Sequence, residues 1–415
     1  MATSLWGKVY FDTHSYAGEL RQEPGGRCVF TYDPTYLEQR KPSIAFTLRP
    51  RPEPYINENG LHPFFDNLVA EGWLRNAQAR ALKVNPEDRF ALLLAFGHDC
   101  AGAVSVVDPE PNPRLQIETG DAVTNAALTS RASLSGIQPK LLAVKDERGF
   151  RPARGDELST YIAKRPSGNL RDIIENEFLT TLANATLLPD DEIAEVEIAT
   201  LEGLGDEKAL LVKRFDRLKS GTKRHFEEFN QLLNRKSGED KYNASYEEVA
   251  RFVLETPGCT PVDAWRLYQR ILVCLLTGNT DAHLKNFAMF HTPNGLRLTP
   301  AYDLVAAALY PDFKYIALSI DGARDLVLNE LKPKHIASLG TAYGLSEKVM
   351  LEAFAALDKR RAVAAKTVME AAKKIDAEDI GKNLLELMER RWNGTFASAG
   401  NFLSKKQSGA GTAKS

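Results

Sequence analysis

The stretch Thr277–Phe290, TGNTDAHLKNFAMF, constrains this chain more than any other. It follows the apolar run Ile271–Leu276, ILVCLL, and carries Asp281, His283, Lys285 and Asn286 within six positions. An acid followed five residues later by an amide, in a loop after a buried helix, suits phosphoryl transfer. The acid can orient and deprotonate an attacking hydroxyl, and the amide oxygen can hold a metal on a nucleotide. Asp303, in LTPAYDL after a short apolar strand, is the second ligand such a metal would take. Polar groups in a loop are also commonly no more than solvated, and from this stretch alone the two readings stand level. A metal-hydrolase site built on Asp281, His283 and Asp303 needs more ligands than the stretch supplies, since no HExxH or paired-histidine spacing occurs.

At 415 residues the chain exceeds one ordinary core, and two or three domains are expected. Its 43% hydrophobic and 26% charged residues are those of a globular protein. A formal net charge of −2 argues against broad nonspecific nucleic-acid binding, though not against a local basic patch. Cysteines 28, 100, 259 and 274 lie far apart without metal or redox spacing and read as reduced thiols. MATSLWGKVYF has no basic-then-apolar signal pattern, and no apolar run reaches membrane-spanning length. The expectation is a soluble cytoplasmic protein that does not engage a membrane.

Residues 1 to about 50 are β-rich, with strands at Leu5–Phe11 and Arg27–Tyr32 punctuated by Pro24-Gly25-Gly26. Helical spacing follows in PFFDNLVAEG and WLRNAQARALKV, and Pro86-Glu87-Asp88 opens a further helix that stops at Gly97. After the strand Ala103–Val107, the Pro-rich DPEPNPR marks a boundary between about 108 and 125. SLSGIQPK, Ser133–Lys140, feeds the strand Leu141–Lys145, and its small-residue turn can fold backbone N–H groups around phosphate oxygens. It lacks the Walker spacing, and a plain turn at Gly136 is the commoner meaning of such a stretch. Thr160–Lys164 is a strand ending in a lysine that either sits on an edge or pairs with phosphates. On the next helix, Ile174, Phe178 and Leu182 share one face, and Glu177 either faces inward to pair with Lys164, as in protein kinases, or sits solvated on the helix flank. Val196–Thr200 and Lys208–Val212 close this small lobe and run into Lys213-Arg214-Phe215-Asp216-Arg217. Thr260 caps a helix with Pro261 at its first position and Asp263 in its first turn, and that helix buries Trp265, Ile271, Leu272 and Leu275. Helical pattern resumes from Ser346 to Trp392 with a break near Asp376, and the polar end SKKQSGAGTAKS reads as disordered.

Taken together, SLSGIQPK, YIAKRP, ENEF, KRFDR, TDAHLKNF and PAYD occur in the order and rough spacing of the HipA family, the kinase toxins of bacterial toxin–antitoxin pairs. The chain resembles that family over nearly its whole length, and FFDNLVAEG resembles the family's N-terminal module. The resemblance implies an α+β, two-lobed protein-kinase-like fold. Its parts would be a β-rich N-terminal module over 1–110, a kinase small lobe over 125–215, a helical large lobe over 216–403 and a disordered tail over 404–415.

It also implies roles for particular residues. Ser135, Gly136, Ile137, Gln138, Pro139 and Lys140 would form the phosphate loop, although Pro139 removes one backbone donor from it. Lys164 would hold the α- and β-phosphates of ATP, and Lys213, Arg214 and Phe215 would border the adenine. Asp281 would be the catalytic base. His283, Leu284, Lys285 and Asn286 would line the nucleotide site with Tyr302 and Asp303, and Asn286 and Asp303 would bind Mg2+. Ser133 falls where the family carries a regulatory phosphoserine, and Ser135 offers a second acceptor two positions on, so which of them is modified, or whether both are, stays open. The implied activity is protein serine/threonine phosphorylation of a translation component, often an aminoacyl-tRNA synthetase, with growth arrest as the outcome. The implied partner is a HipB-like helix-turn-helix antitoxin, with operator DNA contacted through that complex. The alternative is a kinase-shaped co-repressor with weak catalysis, acting as a binding module.

Overall fold

The computed structural model describes residues 5–109, 121–129, 138–155 and 157–412; Ser133, Ser135, Gly136 and Ile137 fall outside them. Alternating burial along Leu5–Phe11 (β1), Ser15–Gln22 (β2) and Cys28–Tyr32 (β3) builds an antiparallel sheet that Tyr55–Asn57 (β4) and Val104–Val107 (β5) complete, in the order β4-β3-β2-β1-β5. The sequence reading omits β2, whose glycine and charged residues blur its alternation. Gly18 is required there by close approach, since a Cβ would sit 2.1 Å from the Thr31 carbonyl oxygen. The short helices Pro34–Glu38 (α1) and Pro63–Asp66 (α2) and the longer Gly72–Leu82 (α3) and Arg89–Phe96 (α4) share one apolar core with this sheet, including Val9, Leu20, Phe30, Phe64, Phe65, Leu93 and Phe96. Asp88, rather than Pro86, starts α4: its side chain accepts from the Ala91 N–H, satisfying a donor that the first turn leaves open.

A helix at Ala122–Thr129 (α5) precedes a second antiparallel sheet. Its strands are Lys140–Asp146 (β6), Gly149–Pro152 (β7), Tyr161–Lys164 (β8), Val196–Ala199 (β9) and Ala209–Lys213 (β10), in the order β7-β6-β8-β10-β9. Leu141, Ala143, Ala163 and Leu211 of this sheet pack with Ala70, Leu74 and Ala127. Between β8 and β9 the chain forms the helix Ile173–Leu187 (α6). Phe226–Glu228 (β11) and Phe229–Leu232 (α7) follow β10.

The chain divides into two compact units, Met1–Ser167 with Glu195–Lys241, and Gly168–Ala194 with Tyr242–Ser415. Helix α6 and the chain from Tyr242 onward fall in the helical unit, and residues 195–241 fall in the first. Two buried polar networks hold residues 216–241 in the first unit. Arg214 and Arg217 bind both Asp99 and Asp216, and Arg214 also donates to Ser159 Oγ at 2.7 Å and to the Cys100 carbonyl at 3.0 Å. The acids of FFDNLVAEG form the second. Asp66 accepts from Arg89 and from the Ser237 N–H at 2.8 Å, Asn67 donates to the Arg235 carbonyl at 2.8 Å, and Glu71 pairs with Lys241. That motif thus acts as a clamp on the segment 235–241, because every one of these groups would carry a desolvation cost if left without its partner.

The second unit contains α6, Tyr246–Glu255 (α8), Pro261–Thr277 (α9), the hairpin Ala288–Thr292 (β12) and Gly295–Leu298 (β13), Pro333–Ala342 (α10), Glu347–Lys374 (α11), Glu378–Arg391 (α12) and Ala397–Thr412 (α13). One π-helical turn, Trp392–Phe396, joins α12 to α13. The break between α11 and α12 falls at Asp376, which adopts a left-handed backbone. Helix α13 continues to Thr412, through most of the segment expected to be disordered, and is anchored by the buried Ala399 and Leu403. On α6 the burial runs round the helix rather than along one apolar face: Asn176, Glu177, Thr180 and Asn184 are buried, whereas Phe178 and Leu182 are only partly so. No helix among the described residues is long and apolar enough to cross a membrane. All four cysteines are free, and burial pushes the Cys28 and Cys259 thiols up to about 11 and those of Cys100 and Cys274 to about 12.

Candidate active site

Helix α9 delivers the polar loop. Thr260 caps it, Pro261 takes the first helical position, and Asp263 closes a capping box by accepting from the Thr260 N–H at 3.0 Å. Every residue from Arg270 to Thr277 is buried, although Trp265, expected in the core, is only partly so. The helix stops at Gly278 with φ 77°, where a Cβ would lie 2.5 Å from Leu387 Cδ2. Glycine is needed on both counts, for the left-handed turn and for the space.

From Gly278 the loop is tied down residue by residue. The Ala308 N–H donates to the Gly278 carbonyl at 2.9 Å, and Thr280 Oγ1 donates to the Phe313 carbonyl at 2.6 Å. Tyr242 Oη donates to Asp281 Oδ1 at 3.0 Å, and Tyr246 Oη donates to the Ala282 carbonyl at 2.9 Å. A short turn, Leu284–Asn286, then folds Asn286 back, so that its Oδ1 accepts from the His283 N–H at 3.1 Å. The Tyr242 and His283 rings meet edge-on with centroids 5.1 Å apart.

Asn286 Nδ2 donates to Asp303 Oδ2, which joins the two residues expected to hold a metal. Asp303 has φ 58°, a conformation that Asp tolerates better than most residues. Its carbonyl accepts from Asn279 Nδ2 at 3.3 Å, and Tyr302 Oη donates to the Lys285 carbonyl at 2.7 Å. Three residues on, Asn176 of α6 grips the backbone of Ala306 from both sides, accepting from its N–H at 3.0 Å and donating to its carbonyl at 3.2 Å. Carboxylate and amide oxygens are hard donors, and Asn286 Oδ1 has a second lone pair beyond the one used by His283, so the pair suits magnesium better than a softer metal.

The site residues of the first unit form a separate group on the second sheet. Lys164 and Lys140 stand directly opposite each other on β8 and β6, which places their side chains on the same face, and Lys164 is buried. Gln138 Nε2 donates to the Arg165 carbonyl at 2.7 Å, and the Arg165 N–H donates to the Pro139 carbonyl at 2.8 Å. Lys213 pairs with Glu195, with Nζ 2.7 Å from Oε1, and Arg214 is engaged by the Asp99–Asp216 network. Phe215 packs edge-on against Phe226 with ring centroids 5.1 Å apart. What this turn can offer a ligand is its backbone.

The sequence reading missed Tyr242, Tyr246, Asn279 and Asn176. Two tyrosines and two asparagines, up to 130 positions from their partners, carry no local signal; only folding brings Asn176 to Ala306.

A β-rich N-terminal part, a helical C-terminal part and an Asp–Asn–Asp grouping at the end of a buried helix define a protein-kinase-like α+β protein. Family models agree: the HipA N-terminal domain matches residues 8–107, and the HipA-like C-terminal domain matches 132–378. The Sinorhizobium fredii protein "Putative kinase Y4dM" is 30% identical over 393 residues, covering 87% of this chain and 93% of that one. The "Serine/threonine-protein kinase toxin HipA" of Shewanella oneidensis is 29% identical over 338 residues, 73% of this chain and 76% of that one. A solved Shewanella oneidensis HipA, in complex with HipB and its operator DNA, superposes with a TM-score of 0.74 at 22% identity over 96% of this chain and 99% of that one, a likeness of fold. The chain belongs to the HipA family.

Proposed function

We propose that this chain is an ATP- and magnesium-dependent protein serine/threonine kinase acting as the toxin of a toxin–antitoxin pair in the bacterial cytoplasm. The hydrogen-bonded pair Asn286 and Asp303, with Asp281 held by Tyr242 in the same loop at the end of α9, carries the proposal. Asp281 accepts the proton of the attacking serine or threonine hydroxyl as its oxygen bonds to the γ-phosphorus and the bond to the β-phosphate oxygen breaks. Asn286 and Asp303 would hold magnesium, which when bound neutralises charge on the nucleotide phosphates. Lys164 holds the α- and β-phosphates, and Lys140 ends the phosphate loop. Lys140 and Lys164 stand opposite each other on one sheet face, a placement that supports two lysines serving one polyphosphate. The backbone of Lys213–Phe215 borders the adenine. His283, Leu284, Lys285 and Tyr302 complete the lining.

Autophosphorylation at Ser133 or Ser135 would place two negative charges beside the nucleotide phosphates and switch the enzyme off. The substrate class is a component of translation, an aminoacyl-tRNA synthetase being the leading case. The partner is a HipB-like antitoxin that brings the complex to operator DNA; the solved Shewanella HipA complex supports this reading by its composition.

Intact-mass measurement after incubation with ATP and magnesium tests the core of the proposal. One or two added phosphates are expected, absent in Asp281→Gln. Expression should slow growth, and Asp281→Gln or Asp303→Gln should relieve it. No added mass, with tight binding to a DNA-binding partner, would favour the co-repressor alternative; equal toxicity from all three chains would contradict an enzymatic origin.

A further inference from the structure

We infer that Tyr242 is a positioning residue for the base, its hydroxyl fixing the Asp281 carboxylate for the attacking hydroxyl. The inference rests on the kinase reading above and extends it to a residue outside every motif. Tyr242 precedes α8, and its hydroxyl reaches Asp281 Oδ1 at 3.0 Å. Its ring stands edge-on to His283 at 5.1 Å, which limits the directions from which the hydroxyl can approach. One turn further on, Tyr246 bonds the carbonyl of the next loop residue, Ala282, at 2.9 Å. Burial holds the Tyr246 phenol well above its ordinary pKa, so it stays a donor across the working range.

The two tyrosines divide the task. Tyr246 fixes the backbone of the loop, and Tyr242 fixes the orientation of the one side chain that takes the proton. A carboxylate on a loop rotates about two side-chain torsions, and a donor bonded to one oxygen restricts that freedom while directing the other oxygen. A hydroxyl donated to a carboxylate also favours its ionised form, the form a base requires.

The test is steady-state kinetics of Tyr242→Phe over a range of pH, with ATP and a serine-containing protein or the chain's own acceptor serine. Losing one hydrogen bond to a charged group should lower kcat about tenfold or more, with the KM for ATP within about twofold and the acid limb of the kcat profile moved to higher pH. Replacing Tyr242 with a fluorotyrosine, a stronger donor of the same shape, should move that limb the other way. It keeps the test open should the phenylalanine variant fold poorly. Unchanged kcat and an unmoved limb would overturn the inference, as would a fall in kcat accompanied by an equal loss of ATP binding and a lowered melting temperature. If the unsubstituted chain transfers no phosphate at all, the kinase reading fails, and the inference fails with it; the wild-type control separates the two failures.

Discussion

Asp303 holds a left-handed backbone, φ 58°, while its carboxylate accepts from the Asn286 amide, so a hydrogen bond joins the two metal-binding candidates. Asparagine tolerates that backbone, whereas a β-branched residue does not. Asp303→Asn is expected to melt within about 2 °C of the wild type yet lose at least about 100-fold in kcat, because a charge that acts in the transition state is gone. Asp303→Val should lose activity and also about 1–3 kcal/mol of stability. Thermal melting and phosphate incorporation on the same samples separate the two effects.

Gly278 sets where the loop begins. With φ 77° and Leu387 Cδ2 2.5 Å from a would-be Cβ, Gly278→Ala should cost about 1–3 kcal/mol in denaturant unfolding. It should also lower activity by displacing Asp281, whereas Gly205→Ala, which meets no neighbour within 4 Å, carries only its backbone strain and should leave kcat alone.

Asp99 lies between two guanidinium groups. Burial would raise its pKa, but Arg214 and Arg217 outweigh that and hold the carboxyl well below the usual range. Asp99→Ala leaves Arg214 and Arg217 with Asp216 as their remaining carboxylate and should destabilise the first unit by about 3 kcal/mol, measured by denaturant unfolding. A loss below about 1 kcal/mol would show that the network is dispensable.

His62 supplies a pH signature. Burial pulls its imidazole down from 6.5 to about 4, and its Nδ1 accepts from the Phe64 N–H at 3.2 Å, which requires that nitrogen to be unprotonated. As pH falls through 6.5 the unfolded chain takes up a proton that the fold refuses until about 4. The unfolded state therefore binds more protons in that window. The contribution is fully present above pH 6.5 and is lost on the way down to pH 4. Because the ring is only partly buried, the expected loss is about 2 kcal/mol. His62→Asn keeps an acceptor at the cap and should melt with a flatter pH dependence over that range.

Much of the fold was legible because its signals are local. The capping box of Thr260 and Asp263, the apolar run through Leu276 and the turn at Gly278 are neighbours in sequence and obey short-range rules, so α9 and the loop it delivers stand where the reading put them. The omission of β2 has the opposite cause: its partners on both sides, rather than its own composition, make it a strand. Nothing in the order of Arg214, Asp216 and Arg217 announces their pairing with Asp99, which ties the chain just beyond 215 to the first unit.

The candidate site divides along the same line. Sequence alone determined which chemistry was on offer, because Asp281, His283 and Asn286 lie within one turn-forming segment whose residue types limit what they can do. Tertiary structure alone decided that Asn286 meets Asp303, that Tyr242 meets Asp281 and that Asn176 holds Ala306. Those meetings join residues 17 to 130 positions apart, and a hydrogen bond with a reach near 3 Å leaves no trace in the order of the residues it joins.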